Sequence, residues 1–119
     1  MATKININGE IQNEAFISIF DHGFLFGDSI YEVVSTKYGK PCFLDEHLER
    51  LFASASGISL KIPFSENKIK NQIQSTLDSA GNSESYIRIM VTRGVGEVDI
   101  DPSYCFKPNI IILVKDLPD

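Results

Sequence analysis

The 119-residue sequence has only two cysteines, Cys42 and Cys105, far apart and matching no metal-ligand spacing. The first residues also lack the basic, apolar and small-residue succession of a secretory signal. Two scattered thiols then fit a reducing cytoplasm better than a disulfide-stapled fold. No apolar run approaches the roughly 20 residues that cross a bilayer. Lys and Arg together number eleven against sixteen acidic residues, giving a net charge of −5, and the cations are scattered. Neither a nucleic-acid backbone nor an anionic membrane would meet a basic patch, so neither is an expected partner. There are no repeats and no low-complexity runs, and a composition 43% hydrophobic and 23% charged excludes disorder, collagen and coiled coil. Also missing are a GxxxxGKS/T phosphate loop, HExxH, CxxC and GxSxG. His22 and His47 are too separated in sequence to suggest a metal site, and structural or solvated roles are expected of them.

What is there suits a single domain with a real core. Lys4 to Asn8 alternates apolar and polar, Gly9-Glu10 turns, and Ile11 with Phe16 to Phe20 resumes an extended pattern, so the opening reads as a hairpin. Asp21-His22-Gly23 breaks it, and Phe24 to Asp28 is an apolar patch closed by a turn. Tyr31 to Tyr38 is rich in β-branched and aromatic residues; Gly39-Lys40-Pro41 turns, and Cys42 to Leu44 pairs back. Asp45 is the N-cap expected for a helix whose Leu48, Leu51, Phe52 and Ala55 share one face and which ends near Gly57. Ser65 caps a second helix with Ile69, Ile73 and Leu77 every four residues, stopped by Gly81. Tyr86 to Arg93 alternates again, with Ile87, Ile89 and Val91 facing one way and Tyr86, Arg88 and Met90 the other. The apolar run from Ile110 to Val114 reads as a buried strand. Strands, two helices and strands again predict an α+β domain, an antiparallel sheet with two helices.

Two sets of residues are candidates for binding. Arg50 lies beside the apolar stripe of the first long helix, where it can snorkel to water or hold a phosphate or carboxylate with its guanidinium fork. Tyr86 and Arg88, two apart on a strand, share a face, and with Tyr31 they either form a solvated surface or recognise a carboxylate. Composition and periodicity leave both pairs of readings open.

Four segments in order add a resemblance. Ile17 to Asp28 (ISIFDHGFLFGD) followed by Tyr31-Glu32 is similar to the opening signature of class IV pyridoxal-phosphate (PLP) aminotransferases. Glu46 to Leu51 (EHLERL) with Ser54-Ala55 resembles that family's EHxxRL…SA helix. Tyr86-Ile87-Arg88 through Val91 to Gly96 (VTRGVG) resembles its YIR…VTRGxG strand. Asp101-Pro102 and Lys107-Pro108 sit where the branched-chain type has DP and KP. The resemblance covers nearly the whole chain. It implies the family's small N-terminal α+β domain over residues 1–119, packed against a larger C-terminal one with the site between them, in an enzyme that is usually a homodimer. It implies further that Arg50 binds the PLP phosphate, that Tyr31, Tyr86 and Arg88 line the substrate pocket, and that Phe26 is an aromatic pocket residue.

The family's chemistry needs a lysine that forms a Schiff base with PLP and moves a proton on the substrate. In relatives that lysine lies in the second domain, and none of Lys4, Lys37, Lys40, Lys61, Lys68, Lys70, Lys107 or Lys115 matches it. The acid that pairs with the pyridine nitrogen has no match either. The chain is therefore expected to lack the catalytic-lysine domain and to be inactive alone. The implied reaction of the complete enzyme moves an amino group between an amino acid, of the branched-chain type, and a 2-oxo acid. VTRGVG and the DP…KP tail favour the L-branched-chain enzymes, whereas Tyr31-Glu32-Val33-Val34 resembles the D-amino acid aminotransferases. Those carry an arginine and a histidine where this sequence has Glu97-Val98-Asp99. Aminodeoxychorismate lyase, on the same scaffold, and a non-catalytic binding module also remain open.

Overall fold

The computed structural model describes residues 2–118; Met1 and Asp119, at the two limits of the expected domain, lie outside them. Six strands form one sheet, β1 (Lys4–Ile7), β2 (Glu10–Gln12), β3 (Ser29–Lys37), β4 (Lys40–Pro41), β5 (Ser85–Thr92) and β6 (Asn109–Asp116), in the order β2-β1-β6-β5-β3-β4. Every pairing is antiparallel. The helices are α1 (His22–Leu25), α2 (Leu44–Gly57) and α3 (Glu66–Ala80), with a single 3-10 turn at Pro102–Tyr104. The α+β architecture is the expected one, with one helix more than the periodicity predicts.

Alternation in the strands makes the core. Val34 of β3, Ile87, Ile89 and Val91 of β5, and Ile110, Ile112 and Val114 of β6 are buried on one face. Against them pack Leu48, Leu51 and Ala55 of α2 and Ile69, Ile73 and Leu77 of α3, the two stripes legible in the sequence. Ser65 caps α3 by accepting a hydrogen bond from the Lys68 N–H, and Gly81 ends it in the left-handed conformation, φ 68°. The polar Asn6 of β1 faces the same core and is satisfied by α3, donating to Gln72 at 2.9 Å and Thr76 at 3.2 Å.

The opposite face is not covered by α2 or α3; the short α1 meets it only at the end of β5, where Gly23 packs against Thr92. Ile5, Ile7, Met90, Ile111 and Leu113 are only half-buried on this face and share a shallow apolar hollow with Ala15, Phe16 and Ile17. The run Ile110 to Val114, expected to be buried throughout, is therefore buried on alternate residues only. Other departures are local. Residues 16–20 are exposed and irregular, because Asp21 ends them by capping α1, accepting from the Gly23 N–H. Strand β4 is Lys40–Pro41, and the turn is Tyr38-Gly39, both with positive φ. The N-cap of α2 is Phe43, in the left-handed conformation, not Asp45. Asp45 instead sits in the first turn, where it complements the helix dipole and pairs with Lys70 of α3. No helix among the described residues is long and apolar enough to cross a membrane.

Candidate functional site: two arginines on one strand

Successive residues of β3 point to opposite faces, and two of them hold the two candidate arginines. Tyr31 faces the side away from α2 and α3, where the Arg88 guanidinium stacks over its ring at 4.1 Å. Arg88 also donates to the Tyr86 hydroxyl at 3.4 Å. The three residues that the sequence placed on one face are thus brought together. In the register, Arg88 lies opposite Val33, so Tyr31 is its diagonal neighbour across the strands and Tyr86 its neighbour two residues back along β5. The Lys115 ammonium, 5.5 Å from the Tyr86 ring, adds a second cation to this face. Such a row of cations between aromatic rings is suited to recognising a carboxylate.

The next residue, Glu32, points the other way, under α2, and is 7% exposed. A carboxylate so placed needs partners, and it has two. Arg50 donates through Nη2 to Oε1 at 2.8 Å and through Nε to Oε2 at 3.0 Å. His47, one helical turn before Arg50, bonds Oε1 through Nδ1 at 2.8 Å. Sequence reasoning missed both contacts: it treats Glu32 only as part of a motif and assigns His47 a structural or solvated role. The signal was available, since alternation puts residue 32 on the core face, where an acid must be paired. Beside this cluster is a hollow of about 230 Å³ lined by Phe43, Glu46, His47 and Arg50. The Arg50 side chain remains 68% exposed.

Phe26, the remaining candidate, ends α1 and packs edge-on against the buried His22 ring, 4.9 Å between centroids. His22 in turn bonds the Glu97 carbonyl through Nε2 at 2.7 Å, a structural role. Phe26 and Arg50 thus stand apart from the Tyr31–Arg88–Tyr86 cluster, which occupies the other face of β3 from Arg50.

The Arg50 bonds hold the Glu32 carboxyl below its ordinary value of 4.5, burial opposes them, and His47 adds a smaller push downward. A carboxyl that is more acidic folded than unfolded contributes stability above the unfolded value and loses it as pH falls through the folded one. Glu84 is held low in the same sense by the Thr36 hydroxyl and the Gly39 and Tyr38 N–H groups. Urea midpoints measured from about pH 6 to about pH 3 should therefore fall less steeply in Glu32→Gln than in the parent, with a residual slope from groups such as Glu84. An unchanged slope would mean that the Glu32 cluster contributes nothing to acid sensitivity.

The model of the amino-transferase class IV family matches residues 29–119. Over 117 residues the chain is 37% identical to a protein of Methanocaldococcus jannaschii provisionally named a branched-chain-amino-acid aminotransferase, covering 97% of this chain and 41% of that one. It is 39% identical over 116 residues to a D-alanine aminotransferase of Staphylococcus haemolyticus, covering 95% and 41%. Among solved structures, a branched-chain amino acid aminotransferase of T.th. complexed with N-(5'-phosphopyridoxyl)-L-glutamate matches 98% of this chain and 40% of its own, with a TM-score of 0.87 and 25% identity. The chain spans less than half the length of these relatives.

Proposed function

Since the chain belongs to the class IV aminotransferase family, we propose that it is the N-terminal, ligand-recognising part of a PLP-dependent transaminase that moves an amino group between a branched-chain amino acid and a 2-oxo acid. In this reading the enzyme is a cytoplasmic homodimer whose catalytic lysine lies outside these residues. One observation carries the proposal: adjacent residues of β3, Tyr31 and Glu32, hold two arginines on opposite faces of one strand. An enzyme of this class must grip a phosphate and a carboxylate at once, and two separate anion-binding guanidiniums meet that need.

The residues present fit a phosphorylated cofactor. Arg50 uses only Nε and Nη2 toward Glu32, so among the described residues its Nη1 has no hydrogen-bond partner, on a side chain that is largely exposed. Arg50 would hold the phosphate and Phe26 would add an apolar wall. Tyr31, Tyr86 and Arg88 would orient the substrate carboxylate, the phenols limiting the swing of the guanidinium. PLP, when bound, supplies an aldehyde that takes up the amino group and a ring that draws electrons from the substrate Cα.

A second reading is favoured by the 39% identity to a D-alanine aminotransferase: the same scaffold acting on D-amino acids. Supplying the complete polypeptide with PLP and 2-oxoglutarate, together with either L-leucine or D-alanine, separates the two. Glutamate formed from leucine alone supports the first, from D-alanine alone the second. Release of pyruvate without an amino acceptor would instead indicate elimination, and no PLP binding at all would end both. In that polypeptide Arg50→Ala should weaken PLP binding by about 10- to 100-fold, the loss of one or two charge-assisted hydrogen bonds. Equal affinities in parent and variant would remove Arg50 from the phosphate site.

A further inference from the structure

We propose that Glu32 is a positioning residue that takes one edge of the Arg50 guanidinium and thereby presents the other edge to the cofactor phosphate. The inference rests on the reading of Arg50 as the phosphate-binding arginine. A guanidinium has two forks, one formed by Nε and Nη2 and the other by Nη1 and Nη2. Glu32 fills the first, with Nη2 at 2.8 Å and Nε at 3.1 Å from Oε1, and Nε at 3.0 Å from Oε2. The end-on fork keeps its Nη1 without a partner among the described residues, on a side chain otherwise open to water.

The carboxylate is itself fixed. It is buried beneath α2, and its Oε1 takes a further bond from His47 Nδ1 at 2.8 Å. His47 and Arg50 are one turn apart on α2, so the helix anchors both donors and the strand anchors the acceptor. A long arginine on an exposed helix face would otherwise sample many rotamers, and each phosphate contact would have to overcome that freedom. Held through a bidentate pair, only its end-on edge remains to be used.

Glu32 has a second, opposing effect: its negative charge weakens any anion bound to Arg50. Orientation and charge make different forecasts for two variants. Glu32→Gln removes the charge and sets an amide N–H against the Arg50 donors, while Glu32→Asp keeps the charge but withdraws it from the fork. If positioning dominates, both variants lose affinity; if charge dominates, Glu32→Gln gains it.

The test uses the complete polypeptide that carries this chain, with equilibrium dialysis of PLP and of pyridoxal, which lacks the phosphate. The expected result is that Glu32→Gln and Glu32→Asp each weaken PLP roughly three- to tenfold, the worth of one immobilised long side chain, and leave pyridoxal unchanged. A merely structural defect would weaken both ligands alike. Either variant suffices, so failure of one to fold leaves the other to decide. If Arg50→Ala abolishes the preference for PLP over pyridoxal while both Glu32 variants keep it, positioning by Glu32 is overturned and the phosphate role of Arg50 stands. If Arg50→Ala also leaves the preference intact, the underlying reading falls with it. Tighter PLP binding by Glu32→Gln, with Glu32→Asp unchanged, overturns the proposal in favour of charge.

Discussion

Asp21→Ala is expected to lower the free energy of unfolding by about 3–5 kcal/mol, because it strands four hydrogen-bond donors at about 1–3 kcal/mol each before the site relaxes. The side chain is fully buried and accepts four hydrogen bonds from four separate places. Oδ1 takes the Gly23 N–H at 2.7 Å and the Gly94 N–H at 3.3 Å. Oδ2 takes the Thr92 hydroxyl at 2.7 Å and the Asn109 amide at 2.8 Å. One carboxylate therefore ties α1, the end of β5, the bend after it and the start of β6. Alanine would leave all four donors without this acceptor in a space that a methyl group does not fill. Asp21→Asn should cost less, because one oxygen survives, but its amide would face the Thr92 and Asn109 donors or those of Gly23 and Gly94. Urea unfolding of the three proteins gives the comparison. A loss below about 1 kcal/mol for Asp21→Ala would show that water restores the bonds and that the junction is not dry.

This junction shows which parts of the fold a sequence discloses. Most long elements could be read from a period, apolar residues every three or four along α2 and α3 and every two along β5, and β3 from its β-branched and aromatic content. Ser65 and Gly81 could be read because capping chemistry is local. By contrast, α1 is only four residues long and contains a glycine, so no periodicity announces it. It exists because Asp21 caps it and is itself pinned by residues 71, 73 and 88 positions away in the sequence. Phe43 as the left-handed N-cap of α2 was equally invisible, since the more favourable Asp45 stands two residues later. There the short connection from β4 to α2, not intrinsic preference, decides where the helix begins.

The candidate site divides along the same line. The Tyr31–Tyr86–Arg88 grouping follows from strand alternation plus the antiparallel pairing of β3 with β5, and periodicity supplied half of that. The Arg50 environment required knowing that α2 lies over β3, so the partner of the arginine went unnamed. A charged residue at a core-facing strand position is nonetheless a sequence-level signal: Glu32 alternates with Val34 and Thr36, both buried. Such a residue demands a cation nearby, and the only question is which one answers. Here Arg50 answers, and the same bonds that satisfy the buried acid fix one edge of the guanidinium.

Gly94→Ala is expected to be about as damaging as loss of the Asp21 carboxylate, above about 3 kcal/mol. Gly94 adopts φ 95°, beyond the left-handed well that other residues visit, and a Cβ there would lie 2.1 Å from the Lys107 carbonyl oxygen and 2.7 Å from its carbon. Both obstacles are backbone, so no side chain can swing aside. The chain leaving β5 and the chain entering β6 must therefore separate by about an ångström or more to restore ordinary contact. That movement would pull on the Thr92–Asn109 pair that opens the ladder and on the two Asp21 bonds that span the same neck. Gly39→Ala is the internal control, with φ 74° but nothing within 4 Å of the added carbon. It should cost about 1–2 kcal/mol, the conformational term alone. Urea midpoints for the two variants isolate the contribution of contact from that of φ. Equal losses would mean that the neck yields freely and that the approach of residues 94 and 107 does not hold the two strands in register.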